Sequence, residues 1–174
     1  MSGKVHGPGA ASVRIYTFKE GMLSRVGHDL NLDVTRFEIT VHADKIEAWF
    51  DPTSLRTVAA RKGKADAPGV LSDADLRQID ENTKGPVLEA ARFPKIEFVT
   101  TKIDREDDEE WAVTGQLTLH GTTKTVSGEA RLVGATRVAT FRLNQPEFGI
   151  KPFSALMGTL RVQPRVEVVV TVPL

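Results

Sequence analysis

Apolar and polar residues alternate along most of this chain with a period of two. In residues 24–34, SRVGHDLNLDV, the apolar row consists of Val26, His28, Leu30, Leu32 and Val34. Such alternation is typical of a β-strand with one buried face and one solvated face. The pattern therefore predicts a strand that carries a histidine on its dry side.

Other segments alternate in the same way, which brings the total to about eight strands. These further strands are predicted at residues 12–18, 37–50, 94–103, 111–121, 125–133, 139–143 and 162–172. Residues 104–110, DREDDEE, are expected to form a solvated turn between two of them. Pro164 lacks a backbone N–H, so it predicts a sheet edge or a bulge in the last strand.

The second and third predicted strands are expected to form a hairpin around Thr35–Arg36. With that turn, the facing pairs are Val34/Phe37, Leu32/Ile39, Leu30/Val41 and His28/Ala43. The apolar rows then coincide across the pair, which favours this register. Within residues 37–50 the alternation changes phase once before Ile46, which predicts a bulge inside a single strand.

Only residues 51–93 lack this alternation. Residues 62–70, KGKADAPGV, are predicted to be a loop because of their glycine and proline. Ser72 is a favourable N-cap, and acidic residues follow it in the first turn of the predicted helix. Gly85-Pro86 is expected to end that helix, and residues 87–93 to add a short second helical turn.

These elements predict a mainly β fold. A sheet of about eight half-buried strands loses its exposed edges when it closes on itself. We therefore expect an eight-stranded antiparallel barrel, with one or two short helices inserted before the middle strand. Residues 12–174 form a single domain in this interpretation, and residues 1–11 form a loose N-terminus.

Composition excludes several classes of function. The 23 Lys and Arg residues balance the 23 Asp and Glu residues, so no net charge favours nucleic acid. The absence of cysteine excludes disulfides and thiolate chemistry. The sequence contains no run of about 18 apolar residues, so no integral membrane segment is expected. Residues 1–18 lack the apolar core of a secretory signal, so we expect a cytoplasmic location, or a periplasmic one if the chain is trimmed.

Four segments resemble the YceI family of polyisoprenoid-binding, lipocalin-like proteins. They are VGHDLNLDV (26–34), FPKIEF (93–98), VTGQLTLHGTTKTV (113–126) and FGI (148–150). The resemblance covers the chain from about residue 13 to its end. Two features depart from the family pattern: Asp29 follows the strand histidine where serine is common, and the helical insertion carries no histidine.

The resemblance implies an eight-stranded antiparallel barrel with a helix over it and a long apolar tunnel. Such a tunnel would hold an isoprenoid, an isoprenoid quinone or a similar amphiphile, and no other cofactor is expected. Family members are bacterial, often periplasmic and often dimeric, so a homodimer is also implied.

His28 is open to three interpretations. It could be a core histidine whose imidazole is hydrogen-bonded to a buried neighbour, or a polar residue of the tunnel that touches a ligand head group. It could also act as a general base, although no Gly-x-Ser-x-Gly or other triad signature accompanies it. No metal site is expected, because His28 and His42 point to opposite faces in the predicted register and His120 and His6 lie elsewhere.

Inward-facing residues form the predicted ligand site. They are His28, Leu30, Leu32, Phe37, Ile39, Val41, Phe98, Leu117, Leu119 and Phe141, with Phe148, Phe153, Leu156 and Met157 as a lid or rim. Small residues at other inward positions, among them Gly115 and Gly128, would leave volume unfilled. Because voids in close-packed protein are costly, this favours a tunnel that holds a ligand.

Three hypotheses follow from the sequence. The first is a protein that carries or sequesters a polyisoprenoid or other long-chain lipid and performs no catalysis. The second is an enzyme, a hydrolase or isomerase, that uses His28 as acid or base on an apolar substrate. The third is a packed barrel that serves as an interaction module.

Overall fold

A computed structural model describes residues 2–21 and 27–174. Its β-strands are β1 Lys4–His6, β2 Ser12–Thr17, β3 Lys19–Glu20, β4 Asp29–Val34, β5 Phe37–Val41, β6 Ile46–Phe50, β7 Leu55–Lys62, β8 Ala65–Ala67, β9 Ile96–Arg105, β10 Glu110–Leu119, β11 Thr122–Val133, β12 Thr136–Asn144, β13 Ser154–Ala155, β14 Leu160–Val162 and β15 Arg165–Pro173. The α-helix α1 spans Asp73–Asn82 and continues into a π-helical turn, Thr83–Val87. Short 3-10 turns lie at Pro52–Ser54, Gln145–Phe148 and Leu156–Gly158.

The fold is mainly β, as expected, and is built on one curled antiparallel sheet. Its strand order is β1-β5-β6-β9-β10-β11-β12-β15-β2-β4-β7-β8, and β13-β14-β3 form a small second sheet. The predicted count of eight strands is too low. Residues 37–50 are two strands rather than one bulged strand, and a tight turn joins them with a 2.8 Å hydrogen bond from the His42 N–H to the Lys45 carbonyl.

The predicted hairpin between the second and third strands is wrong. β4 pairs with β2 and β7, whereas β5 pairs with β1 and β6. Leu32 lies opposite Ile15 and Thr57, not opposite Ile39. Both apolar rows nevertheless belong to one core cluster. Matching rows show that two strands face the same interior, and they do not identify which backbones are hydrogen-bonded.

Two segments expected to lack regular structure contain strands. The N-terminus, predicted to be loose, contributes β1, which pairs with β5 from Lys4 to His6. Residues 62–70, predicted to be a loop, contain β8, which pairs with β7. Pro164 marks neither an edge nor a bulge: it precedes β15, an interior strand between β12 and β2.

The helix begins as the sequence predicts. The Ser72 hydroxyl accepts a hydrogen bond from the Asp75 N–H at 3.1 Å, and the Asp75 carboxylate accepts one from the Ser72 N–H at 3.0 Å. Asp80 anchors α1 to β7 by accepting from the Thr57 N–H and hydroxyl at 2.6 and 2.8 Å. Gly85-Pro86 does not end the helical segment, because the π turn continues through both residues. In the described part of the chain, no helix has the length and apolar character to cross a membrane.

Candidate functional site: an apolar cavity inside the curled sheet

The curled sheet surrounds a cavity of about 560 Å³ whose lining is almost wholly apolar. Ligand pockets typically have volumes of about 300–1,000 Å³. β15 shows how the sequence builds the lining, because its alternate residues Val166, Val168, Val170 and Val172 all face the cavity. At ~3.3 Å per residue these four valines cover roughly 20 Å along one strand. The cavity is therefore elongated along the strands.

Most of the residues predicted for the ligand site line this cavity. They are His28, Leu30, Leu32, Ile39, Val41, Phe98, Leu117, Leu119, Phe141, Phe148 and Phe153. His28 directly precedes β4, and the others come from β4, β5, β9, β10 and β12 and from the segment that follows β12. The period-two rows therefore predicted the lining even where the predicted strand pairing was wrong.

Two of the predicted residues do not line the cavity. Phe37 is buried in the core, and its ring packs against Phe50 with centroids 6.2 Å apart. Met157 is fully solvent-exposed with a left-handed backbone (φ 58°, ψ 34°), so it forms no lid. The predictions for the Leu156 side chain and for Val26 lie outside the described residues.

His28 is not a buried strand residue. β4 begins one residue later, at Asp29, and the His28 side chain is exposed beside the cavity. The preceding residue, Gly27, is buried against Leu160: an added Cβ would lie 2.6 Å from the Leu160 Cδ1 atom. Alternation identifies the face of a strand but not the residue at which pairing starts, so the interpretation of His28 as a core histidine is wrong.

We call the end of the cavity at Thr17, Lys19, His28 and Arg161 the mouth. All four residues contribute to the lining. The Thr17 hydroxyl oxygen is buried without a hydrogen-bond partner among the described residues. Arg161 forms an ion pair with Glu20 at 3.7 Å. The mouth thus offers hydroxyl, amine and imidazole groups beside an apolar interior.

His6 is a cavity residue that the sequence interpretation missed. It lies on β1, is only 4 % exposed and lines the cavity. Burial, and secondarily the charge of Lys4, lowers the pKa of His6 below its usual value. Three-residue β1 is too short for its alternation to be recognised, so no local signal identified it.

The opposite end of the cavity carries Trp111 and Arg137. The Arg137 guanidinium carbon lies 3.9 Å from the centre of the indole, and that of Arg105 lies 4.6 Å from it. We call these three residues the indole stack. Alternation in residues 111–121 places Trp111 on the same row as Leu117 and Leu119, but no local pattern brings Arg105 and Arg137 to it, because the three residues come from three different strands.

The aromatic part of the lining is seated on glycines. An added Cβ at Gly115 would lie 2.6 Å from the Phe98 ring, and one at Gly128 would lie 2.7 Å from the Phe141 ring. The two rings meet edge to face with centroids 5.6 Å apart. The prediction that these glycines leave empty volume is therefore wrong, because the rings occupy the space that side chains would take.

The remaining histidines have local partners. His42 Nε2 lies 3.3 Å from a Glu47 carboxylate oxygen. His120 bridges Glu89 at 2.8 Å and the Phe148 carbonyl at 3.2 Å, which holds the segment after α1 against the β10–β11 turn. Among residues 2–21 and 27–174, no group of three His, Cys, Asp or Glu is placed to hold a metal ion.

Comparison with known proteins places the chain among relatives. Residues 10–174 match the family model of the YceI-like domain. Protein YceI of Escherichia coli O157:H7 is 34 % identical over 92 residues, which cover 53 % of this chain and 39 % of that protein. A UPF0312 protein of Vibrio campbellii is 28 % identical over 120 residues, 69 % of this chain and 53 % of that protein. The chain thus aligns with about half or less of either relative.

Two solved structures share the fold. Burkholderia cenocepacia BcnA superposes with a TM-score of 0.66 at 16 % identity and covers 92 % of this chain and 94 % of its own. A polyisoprenoid binding domain from Saccharophagus degradans, implicated in plant cell wall breakdown, gives 0.58 at 10 % identity with coverages of 98 % and 97 %. At these identities the two structures establish the fold alone.

Proposed function

This chain belongs to the YceI-like family, and on that basis we propose that it binds a polyisoprenoid or a similar long-chain amphiphile in its cavity. The observation that carries the proposal is the elongated, apolar cavity of about 560 Å³. The protein would carry or sequester this lipid without catalysing a reaction. The polyisoprenoid binding domain of Saccharophagus degradans, which shares the fold, supports the ligand class.

The shape and chemistry of the cavity favour a long chain over a compact ligand. Burying a methylene contributes ~0.8 kcal/mol, so a five-carbon isoprene unit contributes at most roughly 3–4 kcal/mol. Association costs about 4–15 kcal/mol in lost translational and rotational freedom. Two or three units therefore barely offset the cost of binding, whereas a longer chain that fills the cavity exceeds it. Affinity is expected to rise steeply with chain length.

The mouth suits the polar head of such a ligand. His28 is exposed there and Lys19 lines the cavity, so both can contact a head group while the chain lies inside. The exposed position of His28 beside the lining supports head-group contact as its role in this proposal.

The test of the proposal is solvent extraction of the purified protein followed by mass spectrometry. The protein is produced in its native host or a close relative, so that its own lipids are present. We expect a stoichiometric isoprenoid, isoprenoid quinone or comparable long-chain lipid in the extract. Repeated empty extracts after gentle purification, together with no retention of added polyprenols, would reject the proposal.

A charge placed in the lining should abolish binding. Leu30→Asp puts a carboxylate against the apolar chain, where its desolvation is uncompensated, and we expect a loss of at least about 100-fold in affinity. Val58→Asp is the matched control, because Val58 is 37 % exposed on β7 and does not line the cavity. Retention of polyprenol by the delipidated proteins, measured by native mass spectrometry, compares the two. Equal retention would show that the ligand lies elsewhere.

A further inference from the structure

The indole stack lies at the end of the cavity opposite the mouth. Trp111 lies near the start of β10, with Arg105 directly opposite it at the end of β9 and Arg137 near the start of β12. Both guanidinium carbons lie within 5 Å of the centre of the indole, and the two arginines approach it from strands on opposite sides of β10. Such cation–π contacts hold an aromatic ring in one orientation.

Hydrogen bonds to the backbone fix both arginines in turn. Arg105 Nη2 donates to the Ala43 carbonyl at 2.8 Å, and Arg137 donates to the Glu109 and Asp108 carbonyls at 3.0 Å each. Lys4 Nζ donates to the Leu174 carbonyl at 2.7 Å. These bonds link three turns and the end of the chain across this end of the sheet, and they hold both arginines beside the indole.

The indole N–H of Trp111 is buried and has no acceptor among the described residues. A buried tryptophan usually finds a partner for this group, and an unpaired one is unfavourable. Among the described residues, the indole therefore contributes its ring volume to this end of the cavity.

From these contacts we infer that Trp111 is the stop that sets the longest chain the cavity accepts. The inference rests on the proposed function and specifies its ligand by length. Along β10, Trp111 and Leu119 both line the cavity and are separated by roughly 26 Å at ~3.3 Å per residue. An amphiphile with its head at the mouth would lay the end of its chain against the indole, and longer chains would leave carbons in water.

The experiment offers a mixture of polyprenols of increasing length to the delipidated protein and identifies the retained chains by native mass spectrometry. We expect an upper length limit for the unmodified protein and a limit at least one isoprene unit longer for Trp111→Val. Trp49→Val is the matched control, because Trp49 is the only other tryptophan, also lies on a strand and does not line the cavity. Its limit should equal that of the unmodified protein.

The outcomes separate the two ideas. If Trp111→Val binds polyprenols with an unchanged length limit, the stop is refuted and the proposed function stands. If the unmodified protein retains no polyprenol of any length, the proposed function fails and the stop fails with it.

A second measurement leaves the cavity intact, in case Trp111→Val does not fold. Trp49→Phe makes Trp111 the sole tryptophan. A bound polyprenol of the limiting length with bromine at the far end of its chain should quench Trp111 fluorescence, whereas bromine near the hydroxyl head should not. Equal quenching by both, or stronger quenching from the head end, would overturn the inference.

Discussion

The cavity has two walls that are built differently. On β9–β12, Phe98 and Phe141 cover glycines and meet each other edge to face. On β2, β4 and β5 the wall is aliphatic, and Val13, Leu32 and Ile39 are only 2–3 % exposed while they also line the cavity. The wall on β9–β12 is shaped by aromatic rings that pack directly against the backbone at glycines. The wall on β2, β4 and β5 is shaped by side chains that also form the core of the fold.

This difference separates the effects of substitution. The aliphatic wall belongs to one core cluster with Ala11, Val34, Phe37 and Leu55, so a change there removes packing from the fold as well as from the ligand site. In the aromatic wall, a change at a glycine displaces a ring and alters the cavity first. We therefore expect stability and ligand binding to fall together for substitutions in the aliphatic wall. Substitutions at the glycines of the aromatic wall should weaken binding more than they lower stability.

The largest effect on stability is expected from Leu32→Ala in the aliphatic wall. A buried Leu→Ala substitution costs ~2–5 kcal/mol, because it removes apolar burial and leaves a cavity. For a chain of this size each kcal/mol lowers Tm by about 2–4 °C. Thermal unfolding followed by circular dichroism measures the change, and Val58→Ala at an exposed strand position is the control. A loss of under 1 kcal/mol for Leu32→Ala would show that this wall is not core.

Gly128→Ala should have a smaller effect on stability and a distinct effect on binding. The new Cβ would lie 2.5 Å from the Thr140 carbonyl oxygen and 2.7 Å from the Phe141 ring, so strand or ring must move. Overpacking of this kind typically costs ~1–3 kcal/mol. Gly85→Ala is the control, because nothing lies within 4 Å of an added Cβ there. The loss of polyprenol retention for Gly128→Ala should be larger than the loss expected from its decrease in Tm. A loss of binding in proportion to the decrease in Tm would show that the two walls do not differ in this way.

The same contrast explains how far the sequence predicts this fold. β9, β10, β11, β12 and β15 lie close to their predicted positions, because long alternating segments follow one another and β9 to β12 pair with their neighbours in sequence. The β10–β11 turn also carries a local signal, since Gly121 has a φ of +73° that favours glycine. In the N-terminal half several pairs join strands that are distant in sequence, such as β1–β5, β4–β7 and β6–β9. Apolar alternation does not identify which distant strand is adjacent.

The candidate site was predictable to the same extent. Leu30, Ile39 and Leu117 line the cavity because the face of a residue is a local property of its strand. The indole stack could not be found this way, since Arg105 and Arg137 approach Trp111 only through the pairing of separate strands. The sequence predicts His28 on a buried row and His6 in a loose terminus, whereas His28 is exposed and His6 is buried in β1. Both differences arise because strand boundaries depend on tertiary contacts.

The smallest expected effect concerns His6, which lies on β1 opposite Ile39 of the aliphatic wall. Its pKa in the folded protein is lowered, chiefly by burial and further by Lys4, so the folded state favours the neutral ring. Between that lowered pKa and the unfolded value of about 6.5, the unfolded chain binds more protons, and stability rises with pH. The contribution is fully present above about pH 6.5 and is lost as the pH falls through this window. Urea unfolding at pH 5 and pH 7.5 should show a smaller pH difference for His6→Gln than for the unmodified protein. Equal differences would mean that protonation of His6 does not contribute to the pH dependence of stability.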